Sequence, residues 1–543
     1  MDCLIKYKEI DDIETSVANL GELPLRAAEK YGKRTALVWL SADSKNTVEV
    51  SFDDLAARVN LVAGALQSTG LQQGDRVVLA VGNRIEFIEL LYGSLLLGAV
   101  PVLTNPRQGV DTLVHVLNDC GARLLVGSPK SFPHLSAAGA EASSMIRLSI
   151  DEGEPPADWE KYAEIFSGAT VSNAVFQPEA ESLSIQPYTS GSTGKPKGVL
   201  LTHSGQIWSA AMHARYMRDL LPDSTQLQPM SCFLAVPIFH INALFGSINP
   251  LLMLGGCVVL AETFEPAQAV TAIQQHKCDF TIGVPAMYQM LLDSAKDINA
   301  TNFSEFRAIF CGSAPGALDL LTQCEDYFGV RACHVYGLTE GGPGVLAHPP
   351  GEPRGSLESC GKAEDSSIEL KLIRPDGTEA RNAEEGELWI RNPGLALGYH
   401  NLPDLTQAKF VDGWLKSGDL MVRDAEGWYF FKGRVDDMFV CGGENIYPLE
   451  VEKTLQSHPE VVAASVVALP HPGKSWVPAA VVQVRAGSEL GAAALKDYYI
   501  EKSAAYSHPR EIVFVESLPL GPTGKIDRLA VKKILNNAGS VSR

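Results

Sequence analysis

Between residues 188 and 203 the chain reads YTSGSTGKPKGVLLTH, which gathers three glycines, five Ser or Thr hydroxyls and two lysines ahead of an apolar run. Glycine lets backbone N–H groups approach anionic oxygens closely, and Ser, Thr and Lys add further donors, so the chemistry on offer is a phosphate cradle. The same composition also makes an ordinary polar turn. A Walker loop is excluded by counting: Gly191 and Gly194 enclose two residues where that motif needs four, and Pro196 follows Lys195.

Four more stretches follow in order. They are YGLTE at 336–340, WLKSGDL at 414–420, KGRVDDMFVCGGENIYPLEVE at 432–452 and PTGKIDR at 522–528. A Glu in a glycine-rich loop or a Lys near a C-terminus is commonly just solvated. As an ordered set with the first stretch, however, they resemble the adenylate-forming superfamily of acyl-CoA synthetases, aryl-CoA ligases, peptide-synthetase adenylation domains and luciferases. The resemblance extends from GLQQGDRVVLAVGN near residue 70 to the final lysine motif.

The resemblance implies a two-step reaction. A carboxylate attacks the α-phosphorus of ATP, giving acyl-AMP and pyrophosphate, and a nucleophile then displaces AMP. Thr189, Ser190, Gly191, Ser192, Thr193, Gly194 and Lys195 correspond to the loop that holds the β- and γ-phosphates. Glu340 corresponds to the Mg²⁺ carboxylate, a hard oxygen donor for a hard cation. Thr339 corresponds to an α-phosphate contact, and Tyr336 with Gly337 to the adenine side. Gly312, Ser313, Ala314 and Pro315 fall on a turn that passes adenine and acyl group. Asp419 would accept the ribose hydroxyls, with Arg434 as a second ribose or phosphate contact. Lys525 would bring positive charge to the reacting carboxylate and α-phosphate. Asp436 matches the family's hinge position.

The acid is expected to be apolar. Where amino-acid-activating relatives carry an aspartate for the substrate ammonium, AVPIFHINALFG places His240, which argues against an amino acid. His240 either sits at the pocket mouth or is structural. Pocket walls are expected from Ile241, Asn242, Phe245, Val284, Gly312, Gly337, Gly341 and Gly342. Gly442 and Gly443 would border a passage for the pantetheine of coenzyme A, since glycine suits close backbone approach, although a tight turn would select them equally. In SAAYSHPREI the lysine that many CoA ligases carry just before the proline is absent. An amine or a carrier-protein thiol therefore stays open as acceptor beside coenzyme A, and so does a non-catalytic nucleotide-binding regulator.

These residues need a scaffold. Short apolar runs (RVVLAV, VPVL, RLLVG, FLAVP, CVVL, FTIGV, RAIFCGS) alternate with amphipathic segments over the first four hundred residues, the pattern of an α/β architecture with substantial sheet. After GRVDDMFVCGGENIYP the order becomes helix, strand, strand, helix, strand, helix, enough for a small α+β domain. The expected organisation is α/β: a large N-terminal domain of layered sheets and helices over 1–435, and a smaller mobile C-terminal lid over 436–543.

At 543 residues the chain exceeds one ordinary core. Its net charge of −19 disfavours nucleic acid or an anionic membrane as partner. Residues 433–543 carry twelve basic and twelve acidic side chains, so the excess acid lies upstream. Ten cysteines without a CxxC pair fit a reducing compartment rather than a zinc knuckle or disulfide framework. The polar start MDCLIKYKEIDDIET does not read as a secretory signal, and no apolar run reaches the roughly 20 residues of a membrane helix. The expected setting is the cytoplasm, with a small carboxylic acid, ATP, Mg²⁺ and coenzyme A as partners and a homodimer left open.

Overall fold

The computed structural model describes residues 7–541 except 44, 143–144, 167–174, 180, 190–194, 222–228, 299, 301, 313–317, 353–355, 442–443, 472–473 and 521–525. Internal contacts divide the chain into two compact units. One comprises Met1–Leu370 with Ile390–Leu415, the other Lys371–Trp389 with Lys416–Arg543. The second unit thus includes segments upstream of residue 436, while the expected hinge at Asp436 concerns motion and remains a proposal.

The first unit holds two large sheets. The seven-stranded one runs Arg331–His334, Ala308–Cys311, Phe280–Gly283, Ser231–Leu234, Cys257–Ala261, Thr35–Leu40 and Thr47–Ser51, all parallel except the last strand. The eight-stranded one runs Gly398–Tyr399, Lys197–Thr202, Leu183–Thr189, Val100–Leu103, Arg76–Ala80, Ala122–Gly127, Ile146–Ser149 and Glu160–Lys161. Parallel strands covered on both faces must be apolar on both, which is why they read as continuous runs and not as alternation. The apolar stretch from residue 85 onward belongs to this interior. Helix Ile85–Leu96 is buried along its whole length except at Glu86, and the chain then turns into strand Val100–Leu103. A helix buried all round needs no polar face. Among the described residues no helix is long and apolar enough to cross a membrane.

The second unit has its own core of Phe439, Ile446, Val451, Leu455, Val466, Ala480, Val482, Leu495 and Tyr499. Helices Pro448–Gln456 and Ala492–Lys502 accompany a sheet whose central strand Ser475–Val484 pairs antiparallel with Val461–His471 and parallel with Glu511–Val515. This is the α+β pattern expected from the sequence.

Candidate active site

The glycine-rich stretch lies between two strands that pair with each other. Strands Leu183–Thr189 and Lys197–Thr202 pair antiparallel, Tyr188 opposite Gly198 and Thr189 opposite Lys197. Residues 190–194, including Ser190, Gly191, Ser192, Thr193 and Gly194, lie outside the described residues. Thr202 ends the second strand and caps the next helix, His203–Leu220, by accepting the Gly205 N–H at 3.1 Å. Both stems are held by helix Val110–Cys120. Tyr188 donates its hydroxyl to Asp119 at 2.5 Å, and His115 bonds the Pro196 carbonyl at 3.1 Å, which requires its Nε2 to carry the proton. Burial, then Asp119, pushes the Tyr188 phenol up from its ordinary range, so it stays a donor.

The carboxyl ends of four neighbouring parallel strands bring the other unit-one residues to a common edge. Strand Ser231–Leu234 leads to His240, Phe280–Gly283 to Val284, Ala308–Cys311 to Gly312 and Arg331–His334 to Tyr336. Open α/β sheets bind ligands outside the carboxyl ends of their strands. Gly312 donates to the Gly283 carbonyl at 3.3 Å, tying two of these ends together. Ser313, Ala314 and Pro315 lie outside the described residues.

Tyr336 pairs with Leu346 through bonds of 2.9 and 3.0 Å, closing the segment between them into a tight loop. A Cβ on Gly337 would lie 1.6 Å from the Pro343 carbonyl oxygen, and Gly342 adopts φ +73°, so neither position tolerates a side chain. Thr339 and Glu340 stand on a 3₁₀ turn, Thr339–Gly341. The Glu340 side chain accepts the Tyr399 hydroxyl at 2.9 Å, and its carbonyl accepts the Ala396 N–H at 3.0 Å. Tyr399 pairs with Val199 of the hairpin, and the Lys197 ammonium lies 5.2 Å from its ring centre. The glycine-rich hairpin and Glu340 are thereby joined through one side chain.

His240 precedes a short helix, Ile241–Ala243, and stacks obliquely on Phe239 with ring centres 4.7 Å apart. The helix continues as a π turn, Leu244–Ile248, then as Asn249–Leu254. Pro250 has no N–H to return to the Gly246 carbonyl, and the wider turn passes this point without one. Asn242 is exposed, Val284 half-buried, and Ile241 and Phe245 are buried in the core. Phe245 therefore backs the expected wall, whereas Asn242 presents a polar group.

In the second unit, Asp419 and Arg434 face each other on paired strands Trp414–Arg423 and Tyr429–Arg434, with Arg434 Nη1 2.8 Å from Asp419 Oδ1. Asp419 is buried. Asp436 is exposed in the turn before Phe439–Cys441. Cys441 pairs with Glu444, so Gly442 and Gly443 occupy a two-residue connection that, like Lys525, lies outside the described residues. The stems around Lys525 are described: Leu520 bridges Ile526, and Arg528 pairs with Asp437 at 3.0 Å and Glu452 at 3.2 Å.

Residues 25–400 match the model of the AMP-binding enzymes, and residues 450–525 that of the AMP-binding enzyme C-terminal domain. The chain belongs to the AMP-binding enzymes. Feruloyl-CoA synthase of an Amycolatopsis species is 31% identical over 514 residues, covering 95% of this chain and 98% of that protein. An o-succinylbenzoate coenzyme A synthetase from Bacillus subtilis, solved in complex with AMP, superposes with a TM-score of 0.80 at 28% identity, covering 94% of this chain and 98% of that one. The amide bond synthetase of Marinactinospora thermotolerans shares the fold, with a TM-score of 0.81 at 23% identity and coverage of 95% and 99%.

Within this AMP-binding enzyme the motif reading passes over His115, Asp119 and Tyr399, and over Asn83. Asn83 donates to the Val236 and Ala261 carbonyls at 3.2 and 3.0 Å and accepts the Ile238 N–H at 2.9 Å, holding the segment that leads to His240. Asn83 ends the stretch GLQQGDRVVLAVGN, whereas His115, Asp119 and Tyr399 lie in none of the quoted stretches. Asn83 and Tyr399 do stand in recognisable punctuation, VGNR and LGYHN.

Proposed function

We propose that this AMP-binding enzyme converts an apolar, ring-bearing carboxylic acid to acyl-AMP with release of pyrophosphate, then passes the acyl group to the thiol of coenzyme A. It is an AMP-forming acid–thiol ligase. The observation that carries the reading is the convergence of His240, Val284, Gly312 and the Tyr336–Glu340 loop at the carboxyl ends of four adjacent strands, with the glycine-rich hairpin linked to Glu340 by Tyr399. The ring-bearing acid is suggested by the aromatic neighbour of His240, Phe239, and by relatives named for feruloyl and o-succinylbenzoate chemistry.

In the first step an acid oxygen bonds to the α-phosphorus while the bond to the β-phosphate oxygen breaks and pyrophosphate leaves. Thr189, Ser190, Gly191, Ser192, Thr193, Gly194 and Lys195 hold the β- and γ-phosphates, and Thr339 bonds the α-phosphate. Lys525 offsets charge that grows in the transition state. Glu340 would hold Mg²⁺, which when bound neutralises phosphate charge. Among the described residues no group of three or more His, Cys, Asp or Glu could hold a metal, and one carboxylate suits a cation bound chiefly by substrate phosphates and water. Tyr336 lies by the adenine, Asp419 accepts the ribose hydroxyls, and Arg434 keeps a positive charge beside it. In the second step the thiol sulfur attacks the acyl carbon and AMP departs with the electron pair of the C–O bond. Gly442 and Gly443 border the thiol's path, and Asp436 is the hinge between steps.

A second reading, transfer to an amine, rests on His508, which stands where many CoA ligases carry lysine. Burial, with Arg510, Lys496 and Lys474 nearby, pulls its imidazole below the ordinary range, so it adds no charge at neutral pH. Those three cations keep the neighbourhood basic without it, which favours a phosphorylated acceptor. The test is exchange of labelled pyrophosphate into ATP across a panel of cinnamic, benzoic and fatty acids, followed by product analysis with coenzyme A or an amine. Acid-dependent exchange and a thioester are expected. No exchange with any acid would support a non-catalytic nucleotide binder, and an amide with no thioester would support the second reading.

A further inference from the structure

The Tyr399 side chain is fixed on several sides. Its residue is buried, its N–H donates to Thr406 Oγ1 at 2.9 Å, and its ring meets Phe410 edge-on at 6.0 Å. Its strand, Gly398–Tyr399, is registered on Val199 and Leu200 two residues beyond the glycine-rich turn's stem. From this position the hydroxyl reaches one carboxylate oxygen of Glu340, 59 residues away in sequence. The Lys197 ammonium over the ring draws on its π-density, which makes the phenol a better donor to an anion. The Glu340 backbone is tied to the same segment through Ala396.

We propose that Tyr399 is a positioning residue: it holds Glu340 Oε1 so that the rest of the carboxylate presents a fixed face to the divalent cation of the nucleotide, and it links that face to the phosphate hairpin through Lys197. A carboxylate on a loop would otherwise rotate, and outer partners that orient a metal ligand commonly matter about 10- to 100-fold in metal affinity. The inference rests on the reading of Glu340 as the cation's carboxylate.

The test compares wild type, Tyr399→Phe, Glu340→Gln and the double variant. Mn²⁺ binding in the presence of a non-hydrolysable ATP analogue is read by paramagnetic resonance, and adenylation by pyrophosphate exchange against Mn²⁺ or Mg²⁺ concentration. Tyr399→Phe keeps the ring and the cation contact and removes only the hydroxyl. It should weaken Mn²⁺ binding about 10-fold, shift the metal dependence of exchange by the same factor, and affect conversion of supplied acyl-AMP and coenzyme A less. The double variant should bind no more weakly than Glu340→Gln alone, because the hydroxyl acts only through that carboxylate. Wild-type Mn²⁺ binding by Tyr399→Phe, with Glu340→Gln impaired, overturns the proposal. So do single effects that multiply in the double variant. Normal Mn²⁺ binding by Glu340→Gln overturns the reading of Glu340 itself, a result separable from the first.

Discussion

At Gly337 a single hydrogen atom decides whether the loop bearing Thr339 and Glu340 closes. A Cβ there would meet the Pro343 carbonyl oxygen at 1.6 Å, and its nearest escape is to part the Tyr336–Leu346 pairing. Gly337→Ala should therefore move Glu340 by the order of an ångström while leaving the sheets in place. Misplacement on that scale costs about 100-fold in rate. Pyrophosphate exchange is expected to fall by that factor with circular dichroism unchanged; full activity in a folded variant would show that the loop adapts. Thr189, Tyr336, Thr339, Glu340, Asp419 and Arg434 are legible as candidates because each sits in a stretch that resembles a motif of the family. Tyr399, His115 and Asp119 have no such signature. They meet their partners across 59, 81 and 69 residues, in register set by strand pairing that no local pattern reports.

Helix Val110–Cys120 is the element that grips the glycine-rich hairpin at both stems, through Asp119 on Tyr188 and His115 on Pro196. Its last turn also accepts the His400 ring nitrogen at the Asp119 carbonyl, at 3.0 Å, so the turn after Tyr399 leans on the same point. Losing the His115 bond frees the exit stem without opening the core. His115→Ala should raise the ATP concentration for half-maximal exchange by about 10-fold, the weight of one hydrogen bond near 1.5 kcal/mol. His115→Gln, whose amide can still donate, should recover most of it. A merely structural helix residue would depress adenylation and acyl-AMP conversion alike and show no rescue. Elements were readable in proportion to their apolar length: Arg76–Ala80, Phe280–Gly283 and Ser475–Val484 announce themselves as runs. The two-residue strand Gly398–Tyr399 has no run to detect, and the π turn at Leu244–Ile248 breaks the helical period that would have revealed which residues face outward.

At the scale of the whole molecule the acidic excess lies in the larger part of the chain, and falling pH protonates many carboxylates at once. One buried group adds a separable contribution. His203 begins the helix after the glycine-rich hairpin and is almost fully buried; its Nδ1 accepts the Leu20 N–H at 3.0 Å and must be unprotonated to do so. Burial lowers its pKa to about 4, against about 6.5 in an unfolded chain. Between these values the unfolded state binds more protons, so stability increases with pH there. The contribution is fully present above 6.5 and fades as pH falls through 4, up to roughly 3 kcal/mol in all. His203→Asn supplies a carbonyl oxygen that can accept from Leu20 and does not titrate. Denaturant unfolding at pH 7.5 and at pH 4.5 should show wild type losing more stability than the variant, with the carboxylates common to both cancelling in the difference. Parallel losses would mean that His203 takes up its proton equally in the folded and the unfolded chain, so that the Leu20 contact does not hold it neutral, and that the acid sensitivity of this chain belongs to its carboxylates alone.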